Sequence, residues 1–230
     1  MIKFWLNAIC IYLCSNGVYA QIFEIQQGSD IYTATIKVNC EENICSGLGE
    51  VKLYDKANKK LVQRFMSEDL YFYLDEKQQP SVNVIQLYDE QSPLIFDDFN
   101  FDGSIDLAIR NGNMGSYGGP TYDVYVYHKT KKKFVLSEEL SKLTYLNLGM
   151  FYVDHERQRL MTMNKSGCCF HITEEYQVVP KKGLVLVKAF IEDATSTVGE
   201  DRVKVTERNL IHGKWQEKVN YYPMDEYYKD

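Results

Sequence analysis

The chain has 230 residues, 26 Lys and Arg against 32 Asp and Glu, a formal net charge of −6 and 45% hydrophobic residues. So acidic a balance disfavours nucleic-acid binding, which draws most of its affinity from cations set against phosphates. No uninterrupted apolar run reaches the roughly 20 residues that a membrane-spanning helix needs.

Residues 1–20 read as a secretory signal peptide. Lys3 precedes an apolar stretch from Phe4 to Leu13, and Val18 and Ala20 are small residues at the positions a signal peptidase reads. Cleavage after Ala20 implies a periplasmic or secreted bacterial protein. Cys10 and Cys14 lack the small preceding residues of a lipidation signal. Loss of Lys3 leaves 25 basic against 32 acidic residues, a formal charge of −7. Residues 21–219 are expected to form one β-rich domain, followed by a tail at 220–230 in which Pro223 interrupts regular structure.

Of the six cysteines, Cys40, Cys45, Cys168 and Cys169 survive processing, and an even number in an oxidising compartment suggests disulfides. Three pairings are open. Spacing favours Cys40 with Cys45, because the residues between them suffice to turn the chain. A bond between Cys168 and Cys169 has to bridge Cα atoms about 3.8 Å apart, below the usual disulfide span. Gly167 would help that turn.

Alternating apolar and polar residues predict strands at Ile31 to Val38, Val51 to Tyr54, Leu70 to Leu74, Val82 to Tyr88, Ile105 to Ile109, Tyr122 to Tyr127 and Leu184 to Phe190. Eighteen tyrosines suit the same pleated, half-buried surfaces. Three segments share one spacing: Tyr54-Asp55 to Leu61, Tyr127-His128 to Phe134, and Val153-Asp154 to Leu160. Each reads as a hairpin. Their recurrence fits either a meander or a β-propeller-like fold. A helix is expected only at Ser137 to Leu143, with Ser137 as its N-cap and Glu138 and Glu139 in its first turn.

The main chemical motif is Asp98-Phe99-Asn100-Phe101-Asp102-Gly103-Ser104-Ile105-Asp106. Oxygen ligands at alternate positions converge when the chain coils tightly, and Gly103 permits the turn. Side chains of Asp98, Asn100, Asp102 and Asp106, with the Ser104 carbonyl, are the expected ligands of Ca2+. An EF-hand would place a Glu where Ile109 stands and would have flanking helices, so the loop is closer to the FG-GAP type, with strands running in and out. Its expected role is to staple the sheet. The bland alternative is a solvated acidic turn.

Directly after it comes a glycine-rich loop from Asn111 to Thr121. Glycines and Pro120 shape the backbone and leave Met114, Ser116 and Tyr117 to project. A Tyr on a rigid loop makes a good anchor for a protein groove; the alternative is an ordinary long loop packed on the sheet. Cys169 and His171 share a strand face, but a disulfide removes the thiolate and no third ligand is evident. Glu174 and Glu175 look solvent-facing. With no nucleophile elbow, zinc-protease helix or phosphate-binding loop, the chain is expected not to be an enzyme.

Taken together, Asp97 to Ile109, Asn111 to Tyr127, Val153-Asp154 with Arg159-Leu160, and Ser166 to His171 resemble the periplasmic immunity proteins of bacterial-killing type IV secretion systems. The resemblance spans roughly residues 94–172. It implies a calcium-binding, propeller-like β protein that inhibits a lysozyme-like peptidoglycan hydrolase, with Met114, Ser116, Tyr117, Gly118, Gly119, Pro120, Thr121 and Tyr122 as the partner-binding loop. The alternative function is a calcium-dependent glycan- or protein-binding module of the cell envelope.

Overall fold

In the computed structural model, residues 20–195 and 201–229 are described. The expected signal peptide, 1–20, lies outside them except for Ala20. Among the described residues the fold is all-β, with three antiparallel sheets, none of which closes into a barrel. Apart from one two-residue strand, neighbours in each sheet follow chain order, so the sheets are antiparallel meanders without crossovers.

The first sheet holds β1 (Ala20–Ile25), β2 (Tyr32–Glu41), β3 (Ile44–Asp55) and β4 (Leu61–Ser67), with β5 (Phe72–Tyr73) beside β3. The second runs β6 (Leu94–Asp97), β7 (Asp106–Arg110), β8 (Tyr122–His128) and β9 (Lys133–Leu136). After α1 (Glu138–Tyr145), the third contains β10 (Tyr152–Asp154), β11 (Arg159–Ser166), β12 (Phe170–Val179), β13 (Gly183–Asp193), β14 (Arg202–Ile211) and β15 (Lys214–Pro223). A four-residue helix, α2 (Met224–Tyr227), follows. Asn220 to Pro223 therefore complete β15, with Pro223 opposite Arg202. The strand continues past position 219 because a proline at the end of an edge strand costs no interior ladder bond.

The second sheet is the middle layer. Leu107 and Ile109 of β7 pack into a core with Ile36, Val51, Leu53 and Phe65 of the first sheet. Ala108, on the opposite face, joins Tyr122, Val124, Leu140, Leu143, Phe151 and Leu160 in a second core. Side chains alternate faces along a strand, so burial on both sides makes every residue of β7 inaccessible, its charged ends Asp106 and Arg110 included. That double burial places the two candidate loops at opposite ends of the most enclosed strand.

The three segments form hairpins, with Tyr54 opposite Leu61, Tyr127 opposite Phe134 and Val153 opposite Leu160. One falls in each sheet. Asp55, His128 and Asp154 hold their turns by accepting backbone N–H groups three residues on. The fifth residue after each hairpin's start, Lys59, Lys132 or Gln158, adopts the left-handed conformation.

Helix α1 is capped by Ser137, whose Oγ accepts the Leu140 N–H. The segment Val82 to Tyr88 is not a strand. It makes only isolated bridges at Val82 and Ile85, because Asn83 and Tyr88 take positive φ of 59° and 64°, which breaks the pleat. Leu70 to Leu74 keeps only Phe72–Tyr73 as strand. Glu175 is not solvent-facing: it is buried on β12 and pairs with Arg157 at 3.0 Å and Lys188 at 3.4 Å. Both disulfides that spacing allows within short loops are formed, Cys40–Cys45 as a directly opposed pair on β2 and β3, and Cys168–Cys169 in the turn between β11 and β12.

Candidate functional site

The acidic loop is the β6–β7 connection, opened and closed by the pair Asp97 and Asp106. Its polar side chains fold back onto its own backbone. Asp98 accepts the N–H of Asp102 at 3.0 Å and of Gly103 at 2.7 Å, Asn100 accepts Asp102 at 3.0 Å, and Asp102 accepts Ser104 at 2.8 Å. Gly103, at φ +82°, makes the reversal that side chains with a Cβ rarely adopt. Asp106 is fully buried and accepts Phe99 N–H at 3.1 Å and Tyr127 N–H at 2.8 Å, tying the loop to β8.

Burial pushes the Asp106 carboxyl up to about 7, and the charges of Asp98 and Asp102 push in the same direction. The nearest cation is Lys129, whose ammonium lies 3.5 Å from the Asp102 carboxylate and donates to the Asp102 carbonyl. Three carboxylates and one amide on a coiled, strand-flanked loop make an all-oxygen donor set of the kind hard divalent cations prefer. Among the described residues, however, no three His, Cys, Asp or Glu side chains stand close enough to form a ready metal cluster. The five expected ligands thus share one loop without forming a finished cage.

The glycine loop joins β7 to β8 and is held at its base by Asn111. Its carboxamide oxygen accepts from Ser67 Oγ, Glu68 N–H and Asp69 N–H, and its nitrogen donates to Asp123 at 2.9 Å. Asn111 and Gly112 also exchange backbone hydrogen bonds with Thr121. Further out, Ser116 to Gly118 make a single 3-10 turn whose Ser116 N–H donates to Asn147 O. A Cβ on Gly115 would come within 2.9 Å of the carbonyl oxygens of Asn147 and Gly119, so the turn closes only around glycine.

Tyr117 sits at the apex with φ +58° and is 65% exposed. Its hydroxyl accepts the N–H of Gly167, in the turn that carries the adjacent cysteines. The Lys165 ammonium lies 5.1 Å from the centre of the same ring. Met114 is exposed, and Ser116, Gly118, Gly119 and Pro120 are exposed or half-buried. Thr121 and Tyr122, expected at a partner surface, are instead fully buried. Tyr122 opens β8 with its side chain turned inward, and its hydroxyl donates to Ser92 O at 2.8 Å; burial drives its pKa well up. These two residues fix the loop rather than face outward. Cys169 is disulfide-bonded and carries no thiolate for a partnership with His171.

An all-β stack of meanders with a projecting, braced tyrosine turn is the class of protein defined by this fold and site. No family model and no curated protein sequence matches the chain. Among solved structures it is similar to a Xanthomonas type IV secretion system related protein, with 23% identity and a TM-score of 0.65 over 86% of this chain and 93% of that one. At that identity the likeness establishes a shared fold.

Proposed function

We propose that this protein is an immunity protein of the bacterial envelope, which binds and blocks a lysozyme-like peptidoglycan hydrolase delivered through a type IV secretion system. The observation that carries the reading is Tyr117: a large amphipathic ring, mostly exposed, presented by a turn that glycines close and hydrogen bonds brace. A pre-ordered aromatic anchor binds without paying for loop ordering, which is how inhibitory loops fill enzyme clefts. The fold shared with a type IV secretion system related protein supports the same setting. A formal charge of −7 after signal removal complements basic muramidases and speeds encounter.

On this reading the three stacked meanders are blades of an open propeller, and the β6–β7 loop holds Ca2+ through Asp98, Asn100, Asp102, Ser104 and Asp106. When bound, the ion supplies charge compensation for the three carboxylates. Asp106 then transmits the order of that loop to β8 through its bond to the Tyr127 N–H. The decisive experiment is inhibition of peptidoglycan hydrolysis by the purified mature chain, tested against hydrolases encoded beside it. Stoichiometric inhibition is expected; an intact, folded chain that protects against none of them overturns the reading.

A further inference from the structure

Tyr71, Tyr73, Tyr88, Tyr117 and Pro120 line an open cleft of about 480 Å3 that also reaches Arg110. Arg110 ends the doubly buried strand β7 and is only 7% exposed, so its guanidinium forms the floor. Its direct partners are uncharged and include the buried Tyr122 hydroxyl, while the Asp69 carboxylate acts on it from further away. One terminal nitrogen donates to Gln91 O at 3.3 Å, the other to the Asn113 carboxamide, and the Tyr71 ring centre lies 5.4 Å away. Its Nε is buried without any hydrogen-bond partner. Among the described residues no carboxylate stands within ion-pair distance of it. The nearby Asp69 carboxylate is engaged by the Gly47 N–H at 3.0 Å.

A guanidinium removed from water without a direct ion pair is costly, and Asp69 acts on it only at longer range. The guanidinium borders the cleft, whose walls carry four tyrosines beside polar groups. Tyr88 is 60% exposed and, like Tyr117, is held in the left-handed region, so both rings stand on backbone that costs free energy to maintain. Lys165 bridges them at the rim, 4.2 Å from the Tyr88 ring centre and 5.1 Å from that of Tyr117. Asp89 also lines the cleft and accepts the Glu90 N–H, while Glu90, beside it, is engaged by the Ser81 hydroxyl. The volume lies within the range of about 300 to 1,000 Å3 of small-ligand sites, which combine apolar walls with a few convergent polar groups.

We propose that this cleft binds a small saccharide bearing a carboxylate. The sugar ring stacks on the tyrosines, and the carboxylate replaces the Asn113 amide on the Arg110 guanidinium, exchanging an uncharged acceptor for an ionised one and forming an ion pair. A protein partner fits less well, because the charge sits at the bottom of a concavity rather than on a face. The proposal does not rest on hydrolase inhibition: a chain that inhibits but binds no acidic sugar sinks this site alone, and the converse leaves it standing.

The test is titration of the full mature chain, followed by NMR, with N-acetylmuramic acid, the uncharged N-acetylglucosamine, and acetate. The acidic sugar is expected to bind at least tenfold more tightly than either of the others, and Arg110→Met to abolish that preference. Because Arg110 is buried, the exposed Tyr88→Ala is the second variant, expected to weaken the acidic sugar about tenfold while leaving the melting temperature in place. Equal binding of the neutral sugar, acetate binding as tightly as the sugar, no binding at millimolar concentration, or indifference to Tyr88→Ala would each overturn the proposal.

Discussion

The Tyr117 hydroxyl accepts a hydrogen bond from the Gly167 backbone N–H, 50 residues further along the chain. This single contact ties the apex of the β7–β8 loop to the β11–β12 turn, so the ring most exposed on the loop is also fixed from a second sheet. Ring and hydroxyl thus have separable roles. Tyr117→Ala is expected to weaken hydrolase inhibition on the order of 100-fold, the range of a central aromatic anchor. Tyr117→Phe keeps the ring, loses the brace and should cost about tenfold or less, corresponding to one hydrogen bond of about 1 kcal/mol. Neither variant should lower the melting temperature by more than a degree or two. Inhibition constants that are the same for all three forms would remove Tyr117 from the interface.

Calcium dependence follows from the crowding of Asp98, Asp102 and Asp106. Adding Ca2+ at 100 times its dissociation constant should stabilise the fold by about 2.7 kcal/mol, which for a chain of this size is a rise of roughly 5–10 °C. Asp102→Ala should abolish the gain without unfolding the protein, since Asp102 is at the loop's exposed tip. The measurement is a thermal melt in calcium and in chelator. Superimposable melts would reduce the motif to an acidic turn.

Asn111 anchors the glycine loop through four side-chain hydrogen bonds. Asn111→Ala leaves two backbone donors, a hydroxyl and the half-buried Asp123 carboxylate without that partner. The expected cost is about 2–4 kcal/mol, since unsatisfied groups lose more than the net worth of a bond. Urea unfolding reads it out. A loss below about 0.5 kcal/mol would show that water substitutes freely and that the loop is less tightly held than its geometry indicates.

Much of this architecture is legible in local pattern. The three segments form hairpins as expected because the apolar ends and the Asp or His that accepts turn N–H groups lie within a few residues of each other. Ser137 caps α1 for the same local reason. What the pattern misreads is set at longer range. Val82 to Tyr88 alternates like a strand, but Asn83 donates to Gly28 O and accepts the Phe96 N–H, contacts that hold it out of β conformation. Tyr122 looks like part of a projecting loop after Gly119-Pro120, yet Ser92, 30 residues earlier, receives its hydroxyl in the core. β15 escapes detection because nearly all its side chains are exposed and show no alternation. Arg110 carries no signal of its own in the sequence; only the assembly of segments around Tyr71, Tyr88 and Tyr117 makes it the floor of a cleft.

The hairpins supply one further prediction, about stability. Lys59, Lys132 and Gln158 occupy the same left-handed position in three turns, with φ of 61°, 50° and 51°. For a residue with a Cβ that conformation costs about 1–2 kcal/mol, while glycine avoids it at an unfolded-state entropy penalty of about 0.4–1 kcal/mol. Each change to glycine should therefore be stabilising by up to about 1 kcal/mol. Because the turns lie in separate sheets, the triple variant should gain close to the sum. A rise in the urea midpoint at unchanged slope is the expected result. A triple variant no more stable than the parent would mean that the lysine and glutamine side chains contribute as much as their backbone conformation costs, and that the shared turn is maintained by contacts other than the hairpin ladder.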